Sequence, residues 1–310
     1  MCFFYITNIG LSQAQIDQQF AIAKHFFSLP PEEKLRYRAD LEEGNYNGYR
    51  PLGSVEILPG LKDNLEFYNI FKFIPQTQRS QPPIIQDHWA SIETFHRHMH
   101  QQVTYRLLRL LALVMELPDR DALVDGHLYE ANCDSSLRYM MYRARTVDEN
   151  RRYKDLYLRG HKDNGTLTYV FQQPVAALQV KRSEDAEWEY LRIPAGKVAV
   201  NIADILEFLS NGCIKAGIHR VVAPPDEQQA SMDRLGLLYF VRPSDRLPLR
   251  SLDSPFLTRM GFWKRGTEGD LLDISASEWV RARVKKNWTG SITAGKDTGR
   301  EGFMAKVFYA

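Results

Sequence analysis

The hydrophobic period of this chain changes once, near residue 130, and that change limits the folds open to it. Before it, apolar residues recur at helical spacing. Ser12 and Gln15 have the separation of a capping box, and Ile16, Phe20, Ala23 and Phe27 follow on one helix face. Pro30-Pro31 ends that helix, because proline lacks an N–H and restricts the residue before it. A short second helix is expected over 32–38. Residues 44–64, rich in Gly, Asn and Pro, read as irregular. A long helix is expected from about Asp87 to Leu117, on Trp89, Ile92, Phe95, Met99, Val103, Leu107, Leu110 and Val114.

After the change, short runs rich in β-branched and aromatic residues take over. They lie at 137–142, 166–172, 178–181, 188–193, 197–202, 219–223 and 235–241, separated by turn signals such as Pro194-Ala195-Gly196 and Asn211-Gly212. Helices first and strands later predict an α+β protein. Short strands at this spacing predict a double-stranded β-helix, or jelly roll, buttressed by helices. Ser275 and Glu278 again have capping-box spacing and start a C-terminal helix. The expected organisation is a helical N-terminal region (1–130), a jelly-roll core (131–245) and a C-terminal extension with a helix (246–310).

Charge excludes some partners. Forty basic residues face 38 acidic ones, formally +2, which gives no case for nucleic acid or an anionic membrane. The most apolar stretch, Leu107 to Leu117, is broken by Arg109 and far too short to span a bilayer. The N-terminus has no basic region ahead of Phe3-Phe4-Tyr5, so no signal peptide is expected. Cys2, Cys133 and Cys213 form neither a disulfide framework nor a CxxC zinc site. A reducing, cytoplasmic location and a small-molecule substrate follow as expectations, with oligomeric state left open.

The chemistry-bearing pattern starts at His161-Lys162-Asp163. In a strand, residues i and i+2 point to one face, so the imidazole and the carboxylate stand side by side. His219 opens another strand 56 residues later. Two histidines and a carboxylate on one face of a metal leave three positions open, the arrangement suited to Fe(II) and O2. On these residues alone, ordinary polar side chains at strand edges remain the simpler account.

The surroundings add to this. Asp163 precedes Asn164-Gly165-Thr166-Leu167-Thr168-Tyr169-Val170-Phe171-Gln172. Then come Ala177-Leu178-Gln179-Val180, Asn201-Ile202-Ala203-Asp204, Ser210-Asn211-Gly212, His219-Arg220-Val221-Val222 and Arg234-Leu235-Gly236. Over roughly Phe3 to Pro243, the order of these blocks resembles the Fe(II)/2-oxoglutarate-dependent dioxygenases of the isopenicillin N synthase-like superfamily. Phe3 to Gly10 and Leu29 to Lys34 resemble that family's N-terminal portion. The mix of motifs is similar to fungal members that tailor secondary metabolites.

The resemblance implies Fe(II) held by His161, Asp163 and His219. It implies 2-oxoglutarate whose distal carboxylate pairs with Arg234 and reaches Tyr142, and O2 as oxidant. Succinate and CO2 would leave, and a substrate C–H bond would be hydroxylated or desaturated, or the substrate rearranged. No catalytic side chain beyond the metal centre is implied. Strand parity places Arg138 and Met140 on the face of Tyr142, and Gly236, Leu238 and Phe240 on that of Arg234. Arg138, Met140, Phe171 and Phe240 are therefore the candidate substrate contacts.

Three departures from the family stand out. Gly236 occupies the place of the usual serine two residues after Arg234, so a hydroxyl is missing beside the co-substrate; a serine restored there is expected to tighten 2-oxoglutarate binding. Met140 stands where an asparagine is frequent. Relatives usually carry a few dozen residues, including a first strand, before the Phe-Phe-Tyr block, which leaves open a shorter gene model, a real truncation or a different edge to the site. Two rival readings remain: an iron oxidase of the same fold that uses no 2-oxoglutarate, disfavoured by Arg234, and a non-catalytic small-molecule binding protein, disfavoured by the intact ligand set.

Other patterns are set aside. His96, His98 and His100 lack a nearby carboxylate or cysteine and read as a solvated helix face. Residues 290–297 nearly spell a phosphate-binding loop but end in Asp297, with no strand before them. The basic run at 281–286 reads as a charged helix face.

Overall fold

The computed structural model describes residues 2–262 and 274–281. Strand β1 (Phe3–Ile6) is followed by helix α1 (Gln13–Ser28), whose start is the expected capping box between Ser12 and Gln15. Ala23 and Phe27 are buried on its inner face, with Ile16 and Phe20 packed against the core. Helix α2 (Pro31–Leu35) starts at the second proline, whose missing N–H has no partner to lose there.

The region 44–64 is not irregular throughout. It contains β2 (Gly48–Arg50), β3 (Glu56–Leu58) and β4 (Leu61–Lys62), and β5 (Leu65–Phe71) follows directly. The first three are too short to show a period. All seven residues of β5 are buried, so it has no polar face to alternate with.

The long helix is a chain of pieces: α3 (Pro83–Asp87), α4 (Trp89–Arg97), a π-helical stretch His98–Thr104, and α5 (Tyr105–Val114). Ile92, Phe95, Met99 and Val103 stay buried along it, so the inserted π turn keeps the apolar face inward. Helix α6 (Ala122–Asp125) closes this part.

The second half contains β6 (Ser136–Tyr142), α7 (Val147–Arg152), β7 (Leu156–His161), β8 (Leu167–Phe171), β9 (Leu178–Lys181), β10 (Glu189–Tyr190), β11 (Val198–Ile202), α8 (Asp204–Leu209), β12 (Ile218–Val222), α9 (Glu227–Ala230), β13 (Arg234–Val241) and α10 (Pro255–Arg259). All seven expected runs carry a strand. Strand β7 lies outside those runs and ends at His161, so the strand expected to carry both His161 and Asp163 stops short of Asp163.

The strands form a seven-stranded sheet, β1-β11-β8-β13-β6-β5-β2, a four-stranded sheet, β10-β9-β12-β7, and the hairpin β3-β4. Every ladder is antiparallel. The fold is α+β, but three strands of the large sheet come from the N-terminal half that the period marks as helical.

The large sheet has two faces with different cores. Tyr68, Ile70, Leu137, Tyr139, Tyr169, Leu237 and Tyr239 pack with α1 and the α4–α5 helices. Leu65, Phe67, Met140 and Tyr142, from the opposite face, cluster with Tyr157, Leu178 and Val221 of the small sheet. The space between the two sheets is therefore lined by alternate residues of β5, β6, β8 and β13.

The C-terminal capping box forms at Ser275 and Glu278, and residues 276–281 are helical, with Trp279 buried. Residues 263–273, the basic positions 283–286 and the stretch 290–297 lie outside the described residues. No helix among the described residues is long and apolar enough to cross a membrane.

Candidate active site

His161 is the last residue of β7 and His219 the second of β12, and the two pair across the ladder. The pairing shifts register immediately afterwards, between His219 and Val221, an irregularity of the kind that re-aims side chains. Asp163 lies two residues beyond His161, just past the strand end. One ligand atom from each of the three falls within 4.8 Å of the others. Asp163 Oδ1 is 3.6 Å from His161 Nε2 and 3.7 Å from His219 Nε2.

The imidazoles are held in one tautomer. His161 Nδ1–H donates to the Arg159 carbonyl at 2.8 Å, and His219 Nδ1–H donates to the Gly217 carbonyl at 3.2 Å. A carbonyl only accepts, so each Nδ1 carries a proton and Nε2 is the ring atom turned toward Asp163 and the shared space. Phe3, from β1, sets its ring edge-on to His219 at 5.8 Å, so the first strand forms part of this wall.

Asp163 is aimed by its other oxygen. Thr168 Oγ1 donates to Oδ2 at 2.7 Å and Asn201 Nδ2 at 2.8 Å, leaving Oδ1 toward the histidines. Burial alone would push this carboxyl up. The charges of His219 and His161 and these two hydrogen bonds outweigh it and hold the group below its ordinary range. Gly217 makes room for this arrangement, since a Cβ there would collide with Asn201 Oδ1 and the Phe3 ring. Thr168 and Asn201 carried no role in the sequence reading. The parity of β8 and β11 relative to Asp163 is the signal that could have found them.

Two borderline nitrogen donors and one carboxylate oxygen, each tied from behind, fit a divalent iron that keeps open positions.

Arg234, the first residue of β13, pairs in register with Tyr142, the last of β6. Its guanidinium lies 5.3 Å from the Tyr142 ring centroid. The side chain is buried, and its Nε has no hydrogen-bond partner among the described residues. Burial lowers its pKa, and burial pushes the Tyr142 hydroxyl up to about 12. A buried cation with an unfilled donor is costly unless an anion meets it, which fits a dicarboxylate such as 2-oxoglutarate.

Arg138, Met140 and Phe240 also face the space between the sheets. The Arg138 guanidinium is sandwiched between Phe67 at 4.0 Å and Phe240 at 4.3 Å, and its Nε donates to Asn69 Oδ1 at 2.7 Å. Burial, with Arg242 next, lowers its pKa to about 10. Phe67 and Asn69, on the β5 strand that the sequence reading missed, complete this clamp. Met140 pairs with Gly236 on one side and Phe67 on the other. Phe171 is not brought to this site. It packs on Phe95 at 5.4 Å on the helical face, because it has the parity of Leu167 and Tyr169 rather than of Thr168.

His96 and His100 are not solvated, which corrects the sequence reading. Both are fully buried. Tyr239 donates its hydroxyl to His100 Nδ1 at 2.9 Å, and His100 Nε2–H donates to the His127 carbonyl at 2.7 Å. Tyrosine hydroxyls meet the Nδ1 atoms of these rings where the sequence, read along one helix, offered only water.

The 2OG-Fe(II) oxygenase superfamily pattern matches residues 131–243, and the pattern described as non-haem dioxygenase in morphine synthesis N-terminal matches residues 1–91. A UPF0676 protein of Schizosaccharomyces pombe is 27% identical over 91% of this chain and 83% of its own. The 2-oxoglutarate-dependent dioxygenase frbH of Dothideomycetidae sp. is 27% identical over 73% of this chain and 68% of its own. The crystal structure of full-length Neurospora crassa T7H with alpha-KG and 5-formyluracil superposes with a TM-score of 0.76 at 23% identity, covering 91% of this chain and 85% of that one. This last likeness concerns the fold.

Proposed function

Because the chain belongs to the 2OG-Fe(II) oxygenase superfamily and is an Fe(II)/2-oxoglutarate-dependent dioxygenase, we propose that it oxidises a C–H bond of a small organic substrate in the space between its two sheets. His161, Asp163 and His219 hold the iron. Arg234 and Tyr142 hold the distal carboxylate of 2-oxoglutarate. Arg138, Met140 and Phe240 contact the substrate. The strands of 131–245 then form the jelly roll, with β1, β2 and β5 of the 1–130 region extending its large sheet and 246–310 flanking it. A role in secondary metabolism extends the likeness to fungal relatives such as frbH and the 2-oxoglutarate-dependent dioxygenase citB of Monascus ruber.

The observation that carries this reading is a shared direction. Three donor atoms, each with its other side hydrogen-bonded away, converge in the same inter-sheet space that receives a buried arginine with a free donor. Arg234 also favours 2-oxoglutarate over the oxidase reading, since an oxidase without a dicarboxylate leaves this buried cation unmatched.

Iron with 2-oxoglutarate and O2 supplies the oxidising chemistry, 2-oxoglutarate leaving as succinate and CO2. The chain supplies position. Thr168 and Asn201 fix the carboxylate, and the Arg159 and Gly217 carbonyls fix the imidazoles. Apolar Leu65, Leu178 and Val221 exclude water from the co-substrate side. Arg138, held between two phenyl rings, offers its guanidinium to a substrate oxygen and leaves the exposed part of Phe240 for stacking.

Anaerobic titration of the Fe(II) protein with 2-oxoglutarate should give a metal-to-ligand charge-transfer band, and the substrate should perturb it. A first screening panel contains planar, oxygen-bearing compounds, including the thymine and 5-formyluracil bound by the T7H structures. Absence of the band with iron bound would reject the co-substrate assignment.

A further inference from the structure

The glycine at 236 does not leave a hole. A Cβ placed there would lie 2.8 Å from Nε2 of Gln173 and 3.5 Å from its Cδ, with Leu238 Cδ1 at 3.4 Å. The backbone of Gly236 is not in the left-handed region, so the glycine is required by space rather than by conformation. What fills that space is a carboxamide. Gln173 stands two residues beyond the end of β8, the neighbour of β13 in the large sheet.

That carboxamide is incompletely used. Gln173 Oε1 is buried with no hydrogen-bond partner among the described residues, as is Arg234 Nε two positions along the same strand face from Gly236. Buried polar groups are rarely left unmatched, and two beside Gly236, one on its own strand face and one from the end of the neighbouring strand, point to a missing ligand. Rotation about the last side-chain bond presents either end of the amide, and a facing carboxylate selects the N–H2 end. A carboxylate accepts about four hydrogen bonds, more than a guanidinium fork and one tyrosine hydroxyl fill.

We propose that Gln173, in the room left by Gly236, donates the neutral hydrogen bond to the distal carboxylate of 2-oxoglutarate that a serine at position 236 supplies in relatives. This rests on the co-substrate pocket proposed above. The hydroxyl lost from β13 is replaced by an amide from the β8 end, so Gly236 and Gln173 act as a pair. A serine added at 236 alone then displaces Gln173 rather than adding a donor, which revises the gain expected from the sequence.

The test is calorimetric titration of 2-oxoglutarate into the anaerobic Mn(II)-loaded protein, with the ligand-induced rise in Tm as a second readout. Gln173→Ala should raise the 2-oxoglutarate Kd about tenfold, with Mn(II) affinity unchanged. Gln173→Met, which keeps the volume and drops both polar ends, should give the same loss and guards against a packing defect. Gln173→Glu should bind more weakly still. Gly236→Ser alone should change Kd less than threefold, and Gly236→Ser with Gln173→Ala should return it to within threefold of wild type. If Gln173→Ala and Gln173→Met leave Kd within twofold while Arg234→Leu abolishes binding, the pocket stands and the role of Gln173 is wrong. If Arg234→Leu leaves Kd unchanged, the pocket reading falls and this inference with it.

Discussion

His161 and His219 face each other across the β7–β12 ladder, and each gives its Nδ1 proton to the main-chain carbonyl two residues before it, Arg159 for one and Gly217 for the other. The main-chain carbonyls of Arg159 and Gly217 thus set both tautomers. The carboxylate between them depends on side chains, and this difference makes it the more vulnerable ligand.

Asn201→Ala should therefore lower divalent metal affinity by roughly ten- to a hundredfold while the fold persists, because Asp163 loses one of the two donors that aim it. Thr168→Val should act in the same direction. Competition titration with a chromophoric chelator measures this; a change below twofold in both variants would contradict the aiming role.

Arg234→Leu should remove 2-oxoglutarate binding and leave metal affinity nearly unchanged. The ligand-free variant should be no less stable than wild type, since the substitution removes a buried charge whose Nε is unmatched. Calorimetry and thermal melts check both halves. A large fall in Tm would mean that Arg234 holds the sheets together instead.

Acid should unfold the protein early. His127, His100 and His96 are buried, and burial holds His127 down to about 4, His100 to about 3 and His96 well below its ordinary value. Each is neutral when folded and takes up a proton on unfolding below about pH 6.5. Their contribution is present above that pH and is lost as pH falls through the window from 6.5 toward 4. With three protons taken up, the metal-free protein should lose up to about 4 kcal/mol per pH unit at the steepest point. Urea melts at stepped pH measure the slope. A slope corresponding to less than one proton would show that these rings are not buried neutral.

Glu66→Ala should cost about 3–5 kcal/mol of stability. Its carboxylate meets Lys34 Nζ at 2.7 Å and Arg143 Nη2 at 2.7 Å and accepts from Tyr49 at 2.6 Å, with both Lys34 and Glu66 buried. Removal leaves the Lys34 ammonium without that partner in the core. The replacement pair Glu66→Leu with Lys34→Met should recover most of the loss, and a single Glu66→Ala within 1 kcal/mol of wild type would contradict the role of the network.

The parts of the molecule legible in the sequence are those with a period. Strands β6 and β13 pair without a register break, so strand parity alone sets Tyr142, Arg234 and their same-face neighbours Arg138, Met140, Gly236 and Phe240 on one surface. Strand β5 could not be read, because Glu66 and Asn69 are buried in ion pairs and amide bonds and interrupt any apolar pattern. With it went Phe67, half of the Arg138 clamp. Phe171 was misplaced because its run gives strand identity but not which parity faces inward; Thr168 settles that through its bond to Asp163. His96 and His100 were read as wet because their partners, Tyr129 and Tyr239, lie 33 and 139 residues away. Gln173 belongs to the same class: a side chain from one strand end filling a gap in another is a tertiary fact.

The most direct measurement of the central claim is the Fe(II) affinity of His161→Ala, Asp163→Ala and His219→Ala under anaerobic conditions, each variant checked for an unchanged circular dichroism spectrum. Each should lose tight Fe(II) binding and, with it, the charge-transfer band formed on adding 2-oxoglutarate. Any one variant that keeps wild-type iron affinity and the band would place the metal elsewhere and contradict the account.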